Sequence, residues 1–246
     1  MSKGLRVLAA VGMWLAIYIL GVYAVPSIGF FDALVEKHGW LSNSEISQTV
    51  FFILSLALIF LLPGEKKSTY GLRGVRTGQL IKPVVVAIGV CLLFFFLTAV
   101  VMVVTGPPGG GPGGPAANKG LLNFILTVVI IASICEEVFS RGLIQGFLSP
   151  LKEHGFTLSK TRISLPVTIC ALLFGLGHLC LLGAMDTRIV VPIVISSTVL
   201  GCIAGYYREK TGSLLPAIAV HMTFNIVSGV VPRLLMMLAG VEAAAG

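Results

Sequence analysis

An all-α, polytopic transmembrane bundle of about seven spans, its N-terminus on the cytoplasmic side, is the fold class this sequence predicts. Three observations carry it. The chain of 246 residues is 56% hydrophobic and only 11% charged, where a soluble domain carries about 25%, and its mean hydropathy is +1.00. Uncharged runs near the ~20 residues needed to cross a bilayer recur along it. Lys and Arg are distributed unevenly between the segments these runs define, thirteen of the 17 falling on one side.

The spans are expected at roughly 6–25, 48–63, 81–104, 121–147, 163–183, 189–207 and 213–240. The first follows Lys3 and Arg6 and ends in "GVYAVPS", where Val22-Tyr23-Ala24 resembles a cleavage site. Its length and the further spans behind it favour an uncleaved anchor over a signal peptide. The second run is short and the last is interrupted by Pro216 and Pro232. Either could be re-entrant or broken, which leaves six to eight spans open.

The loops complete the pattern. "GEKKSTYGLRGVRTGQLIK" (64–82) is a basic inner loop, suited to orientation and to attracting anionic headgroups. "TGPPGGGPGGPAANKG" (105–120) is unlike helix or sheet. It divides a three-span region, 1–104, from a four-span region, 120–240, with a linker at 105–119 and a tail at 241–246. The linker reads either as a hinge or as a plain tether. The Lys/Arg bias follows the positive-inside rule with the C-terminus outside. The net charge of +7 is therefore read as topology. No basic block with interleaved aromatics suggests nucleic-acid binding. Cys91, Cys135, Cys170, Cys180 and Cys202 all fall in apolar runs without a CxxC, which reads as small apolar side chains.

Against this background the polar residues of the C-terminal half stand out, since a charge at bilayer centre costs roughly 2.5–3.5 kcal/mol on insertion scales. In "ICEEVFSRGLIQGF" (134–147) Glu137 and Arg141 are i and i+4 and can pair on one helix face. Glu136, about 100° round the helix, cannot share that geometry and is left free. "FGLGH" places Phe174 and His178 in the fifth span, and "HMTFN" puts His221 and Asn225 one turn apart in the seventh. His38 and His154 lie in predicted loops and serve as controls. At 1.5 Å per residue, Glu136, His178, His221 and Asn225 fall within about 10 Å of one another in depth, consistent with one site.

A carboxylate in an apolar surround suits a general base, while imidazoles and a carboxamide can donate to an oxyanion. Together they form a minimal set for amide hydrolysis. Ser133 and Ser140 have no evident base partner. Zinc held by Glu136, His178 and His221 stays open, although the HExxH spacing is absent. Two other classes compete. A transporter would need polar residues along a path across the bilayer, and here they cluster in one half. An idle scaffold or immunity protein would tolerate degraded motifs, and here all are intact.

The ordered set EExxxR, FxxxH and HxxxN, with "REKTGSLLPAIAVHMTFN" (208–225), resembles the CAAX-protease and bacteriocin-processing family of intramembrane proteases. That family includes type II CAAX prenyl endopeptidases and abortive-infection membrane proteins. The resemblance covers roughly 118–230. It implies Glu136 as the base that activates water and His178 as its assistant. His221 and Asn225 would stabilise the oxyanion, with Glu137 and Arg141 in support. Both a metalloprotease and a metal-free mechanism are argued for the family. The implied partner is a peptide or protein substrate at the membrane, prenylated or not, and the compact loops suggest the plasma (inner) membrane of a prokaryote. The N-terminal region lies outside the resemblance and could set substrate choice.

Overall fold

The structure, a computed structural model, describes residues 1–38, 41–62, 67–106 and 119–238. Among the described residues seven helices are long and apolar enough to span a membrane: α1 (Lys3–Ala24), α3 (Asn43–Leu61), α4 (Gly78–Thr105), α5 (Leu121–Leu151), α6 (Leu165–Gly183), α7 (Thr187–Thr211) and α8 (Leu215–Leu238). The chain is a multi-pass, all-α membrane protein. Two small elements had no signal in the hydropathy. A short helix, α2 (Gly29–Lys37), follows α1. Strands β1 (Gly155–Leu158) and β2 (Thr161–Ser164) form an antiparallel hairpin that pairs Gly155 with Ser164 between α5 and α6.

Local chemistry sets the helix ends. Ser2 accepts from Leu5 N at the start of α1 and Ser164 from Val167 N at the start of α6, each at 3.3 Å, which satisfies amides that have no partner within the helix. Asp186 caps α7 through Arg188 N at 2.8 Å. Gly212, at φ 66°, closes it in the left-handed conformation, which glycine adopts without a Cβ clash. Neither proline breaks the last span. Pro216 sits in the first turn of α8, where its missing N–H costs nothing. Pro232 follows a widened stretch, Ile226–Val230, of the kind that absorbs irregular backbone hydrogen bonding.

The spans on either side of the Gly/Pro segment share one core. Trp14 and Ile17 of α1, Phe51 and Ile59 of α3, and Phe139 and Leu143 of α5 belong to a single buried cluster. Small residues permit close approach where helices cross. A Cβ on Gly175 would lie 1.9 Å from Thr198 Oγ1, and one on Gly201 2.9 Å from Ala171 Cα, so α6 and α7 touch backbone to backbone. Gly21 meets the Phe51 ring in the same way, which packs α1 into the bundle. Where α3 and α5 begin, Lys119 Nζ lies 2.7 Å from Glu45 Oε1, both side chains under 10% exposed. The linker proper, 107–118, falls outside the described residues, as does the tail.

The basic loop between α3 and α4 is packed against the bundle. Leu214 N donates to Gly71 O at 2.9 Å. The guanidinium of Arg73 bonds Thr211 O, that of Arg208 bonds Thr69 O, and Ser213 Oγ bonds Arg73 O. Tyr70 is fully buried against Gly146. The loop is thus pinned to the α7–α8 turn and to α5, so part of its basic charge serves structure.

Candidate active site

Helix α5 carries the acidic pair. Its regular turns at Ser133–Glu137 are flanked by widened ones at Ile125–Ala132 and Val138–Ile144, irregularities often found where helices serve a site. Glu137 and Arg141 pair as the spacing predicted, Arg141 Nη1 lying 2.8 Å from Glu137 Oε1 with both side chains fully buried. The arginine also stacks on Phe174, its Cζ 4.2 Å from the ring centre. Glu137 has a second partner that the sequence did not reveal. His221 Nδ1 of α8 lies 2.9 Å from the same Oε1.

A carboxylate can only accept, so His221 donates its Nδ1–H to Glu137 in this contact, which leaves Nε2 for chemistry. Nε2 turns toward Glu136, 3.9 Å from its Oε2. That is too long for a hydrogen bond and short enough for both groups to address one reacting centre. Phe174 holds the assembly in register, its ring 5.3 Å from that of His178 and 5.5 Å from that of His221.

The expectation that Glu136 stands free needs correction. Gln48 Nε2, from α3, lies 2.6 Å from Glu136 Oε1. Gln48 is 8% exposed and its Oε1 has no hydrogen-bond partner among the described residues. The acid is unpaired in charge, but it is fixed in direction by an amide 88 residues away. Gln48 does not ionise and sits in the polar first turns of α3, among Ser44, Glu45, Ser47 and Thr49, so neither motif spacing nor a charge census could single it out.

Asn225 also differs from the expectation of a free oxyanion donor. Its Nδ2 donates to Val128 O at 3.0 Å and to Ser133 Oγ at 3.1 Å. Both amide protons are taken, and the residue fastens α8 to α5. His178, at the end of the regular part of α6, turns Nδ1 to Phe174 O at 3.0 Å, and its Nε2 lies 3.4 Å from Ser197 Oγ.

Two cavities meet at these side chains. The larger, about 660 Å³, reaches Glu136, Gln48, Phe174 and His178 between α1, α3, α5 and α6. The smaller, about 330 Å³, reaches His178, His221 and Asn225 between α4, α7 and α8. Phe174 and His178 line both, so the groups gathered from the three motifs stand at the junction. His38 and His154 are exposed and line neither cavity. Replacing each by alanine is expected to change stability by no more than about 0.5 kcal/mol and to leave turnover unchanged. Thermal unfolding beside a rate measurement checks this.

Zinc finds no ligand set here. Among the described residues no group of three or more His, Cys, Asp or Glu is gathered to hold a metal ion. Glu136 and His221 face each other, but His178 directs its Nε2 to Ser197. Tetrahedral coordination at roughly 2.0–2.2 Å is not prepared.

Residues 118–227 match a family model described as type II CAAX prenyl endopeptidase Rce1-like. The match bears out the resemblance carried by the three motifs, whose polar residues all fall within it. Gln48 and the walls contributed by α1 and α3 lie outside it. No curated protein and no solved structure matches the chain significantly.

Proposed function

We propose that the chain is an intramembrane endopeptidase that cleaves a membrane-associated polypeptide with a glutamate-activated water and without a metal ion. One observation carries the reading: Glu136 lines a cavity between the helices, aimed by Gln48 and 3.9 Å from an imidazole that Glu137 orients. The family match supports the protease reading in general. In the proposed step Glu136 takes a proton from water as the water oxygen attacks the peptide carbonyl. When the C–N bond breaks, the same proton passes to the leaving amine. His178, its Nδ1 proton committed to Phe174 O, exchanges the long 3.4 Å contact of its Nε2 with Ser197 Oγ for one with the attacking water. His221 in its imidazolium form, held by Glu137, donates from Nε2 to the oxyanion, the kind of preorganised stabilisation that dominates acyl-transfer catalysis. Asn225 acts as a positioning residue through its ties to α5.

The test is cleavage by the purified, detergent-solubilised protein of a fluorogenic peptide library with prenylated and unprenylated arms, each with and without a chelator. Cleavage that survives the chelator supports the reading. Cleavage lost with chelator and restored by zinc would replace it with a metal mechanism, and no cleavage in any arm would return the scaffold reading.

Gln48 gives a sharper check on how the base is held. A hydrogen bond to a charged group is worth about 1.5–3 kcal/mol, so Gln48→Met is expected to slow turnover about 10–150-fold while the protein stays folded. Initial rates beside a melting curve decide it; unchanged turnover would mean Glu136 needs no such support.

A further inference from the structure

The geometry points to substrate entering from the membrane face opposite the basic loops, as a peptide segment at the extracytoplasmic surface. Only the word substrate rests on the endopeptidase reading; the direction of access rests on where the cavities open.

The larger cavity has a clear polarity. Its deep wall is made by Phe51, Gln48, Phe139 and Ser140, all buried. Its exposed lining residues are Tyr23, Asn43, Ser44, Cys180 and Ala184. These five lie at the end of α1, the start of α3 and the end of α6, ends that the alternation of spans places on one side. The smaller cavity shares this direction: Met102 and Ile189, at the matching ends of α4 and α7, line it together with the buried Leu200 and His221.

The opposite side is closed. Arg141, Leu143, Ile144, Gln145 and Leu148 of α5 are at most 1% exposed, and Ile59 and Tyr70 are fully buried beside them. The loop that carries Tyr70 is fastened to the α7–α8 turn. Lys3, Arg6, Arg73, Arg76, Lys152, Lys160, Arg162, Arg208 and Lys210 all belong to this closed end. Positive charge marks the cytoplasmic side, so the open end faces away from the cytoplasm.

The mouth also indicates what it accepts. Asn43 and Ser44 offer an uncharged amide and a hydroxyl, and Ser42 and Ser47, whose hydroxyls donate to Glu45 Oε2 and Asn43 O, can still accept, groups that suit a peptide backbone. One wall below them is a run of aromatic rings. Trp14 stacks on Tyr18 at 4.8 Å, Tyr18 on Phe51 at 6.3 Å, and Phe51 on Phe139 at 5.0 Å. That wall suits an apolar side chain next to the cut bond. A cavity of about 660 Å³ admits an extended segment and excludes a folded chain.

Thiol labelling in intact spheroplasts tests the direction without knowledge of the substrate. In a Cys180→Ser background, Ser44→Cys marks the mouth and Gly74→Cys the inner loop; a side chain at Gly74 meets open space. A membrane-impermeant maleimide added outside is expected to label Ser44→Cys and to spare Gly74→Cys, with the order reversed in inside-out vesicles. Labelling of Gly74→Cys first, or of both alike, overturns the proposal. Asn43→Cys substitutes if Ser44→Cys fails to fold. A second arm connects access to chemistry. A bulky maleimide on Ser44→Cys should abolish most cleavage of the peptide library in detergent, and the same adduct at Gly74→Cys should not. If the unlabelled protein cleaves nothing, the endopeptidase reading fails while the labelling order still decides access.

Discussion

Glu136→Gln is expected to lower peptide hydrolysis at least about 10³-fold, within the 10²–10⁴ range that proton transfer by a positioned side chain contributes, and to leave the protein folded. Glutamine keeps the shape of the side chain and a carbonyl oxygen that can still accept from Gln48 Nε2, now 2.6 Å from the carboxylate. It cannot take a proton from water. About 10³-fold corresponds to roughly 4 kcal/mol of barrier, far more than a lost contact at the cavity surface would produce. The measurement is single-turnover cleavage in detergent with melting temperature as the control. Turnover within severalfold of wild type, in a folded variant, would remove Glu136 as the base and take the proposed mechanism with it.

The choice between the two adjacent acids was legible in the sequence for a geometric reason. Residues i and i+4 share a helix face, while Glu136, five positions before Arg141, lies about 140° round the helix from it, so Arg141 selects Glu137 and leaves Glu136 for another task. The structure keeps that division through the widened turns of α5, and the seven spans likewise followed from apolar run length. Other parts were not legible. The hydrogen bond from Gln48 crosses from α3 to α5, and nothing in local spacing encodes which neutral residue of one span faces a given residue of another. The role of Asn225 could not be read for a related reason. Sharing a face with His221 placed it near the site, but whether its amide protons point into the cavity depends on Val128 O and Ser133 Oγ of α5. The hairpin of β1 and β2 lay hidden because two four-residue exposed strands carry no hydropathy pattern against such apolar flanks.

Arg141→Ala is expected to be the most destabilising single substitution at the site. Breaking a buried pair by removing one partner costs about 3–5 kcal/mol, because the remaining charge stays buried. Among the described residues Glu137 would retain only His221 Nδ1, on the oxygen it now shares with the guanidinium, and its other oxygen already has no partner there. The Phe174 ring would lose the cation stacked on it at 4.2 Å, and with it part of the packing that sets His178 and His221. Turnover should therefore fall together with the melting temperature. Loss of fold alone would not prove a part in chemistry, so a second variant separates the two. Glu137→Gln combined with Arg141→Met removes both charges and leaves an amide oxygen to accept from His221, and replacing both members of a buried pair is often nearly neutral for stability. The double variant should recover most of the lost melting temperature but not the lost turnover, since a neutral amide cannot support an imidazolium at His221. Recovery of both would reduce Glu137 and Arg141 to a packing element, and a fully stable, active Arg141→Ala would show that the pair does not hold the site at all.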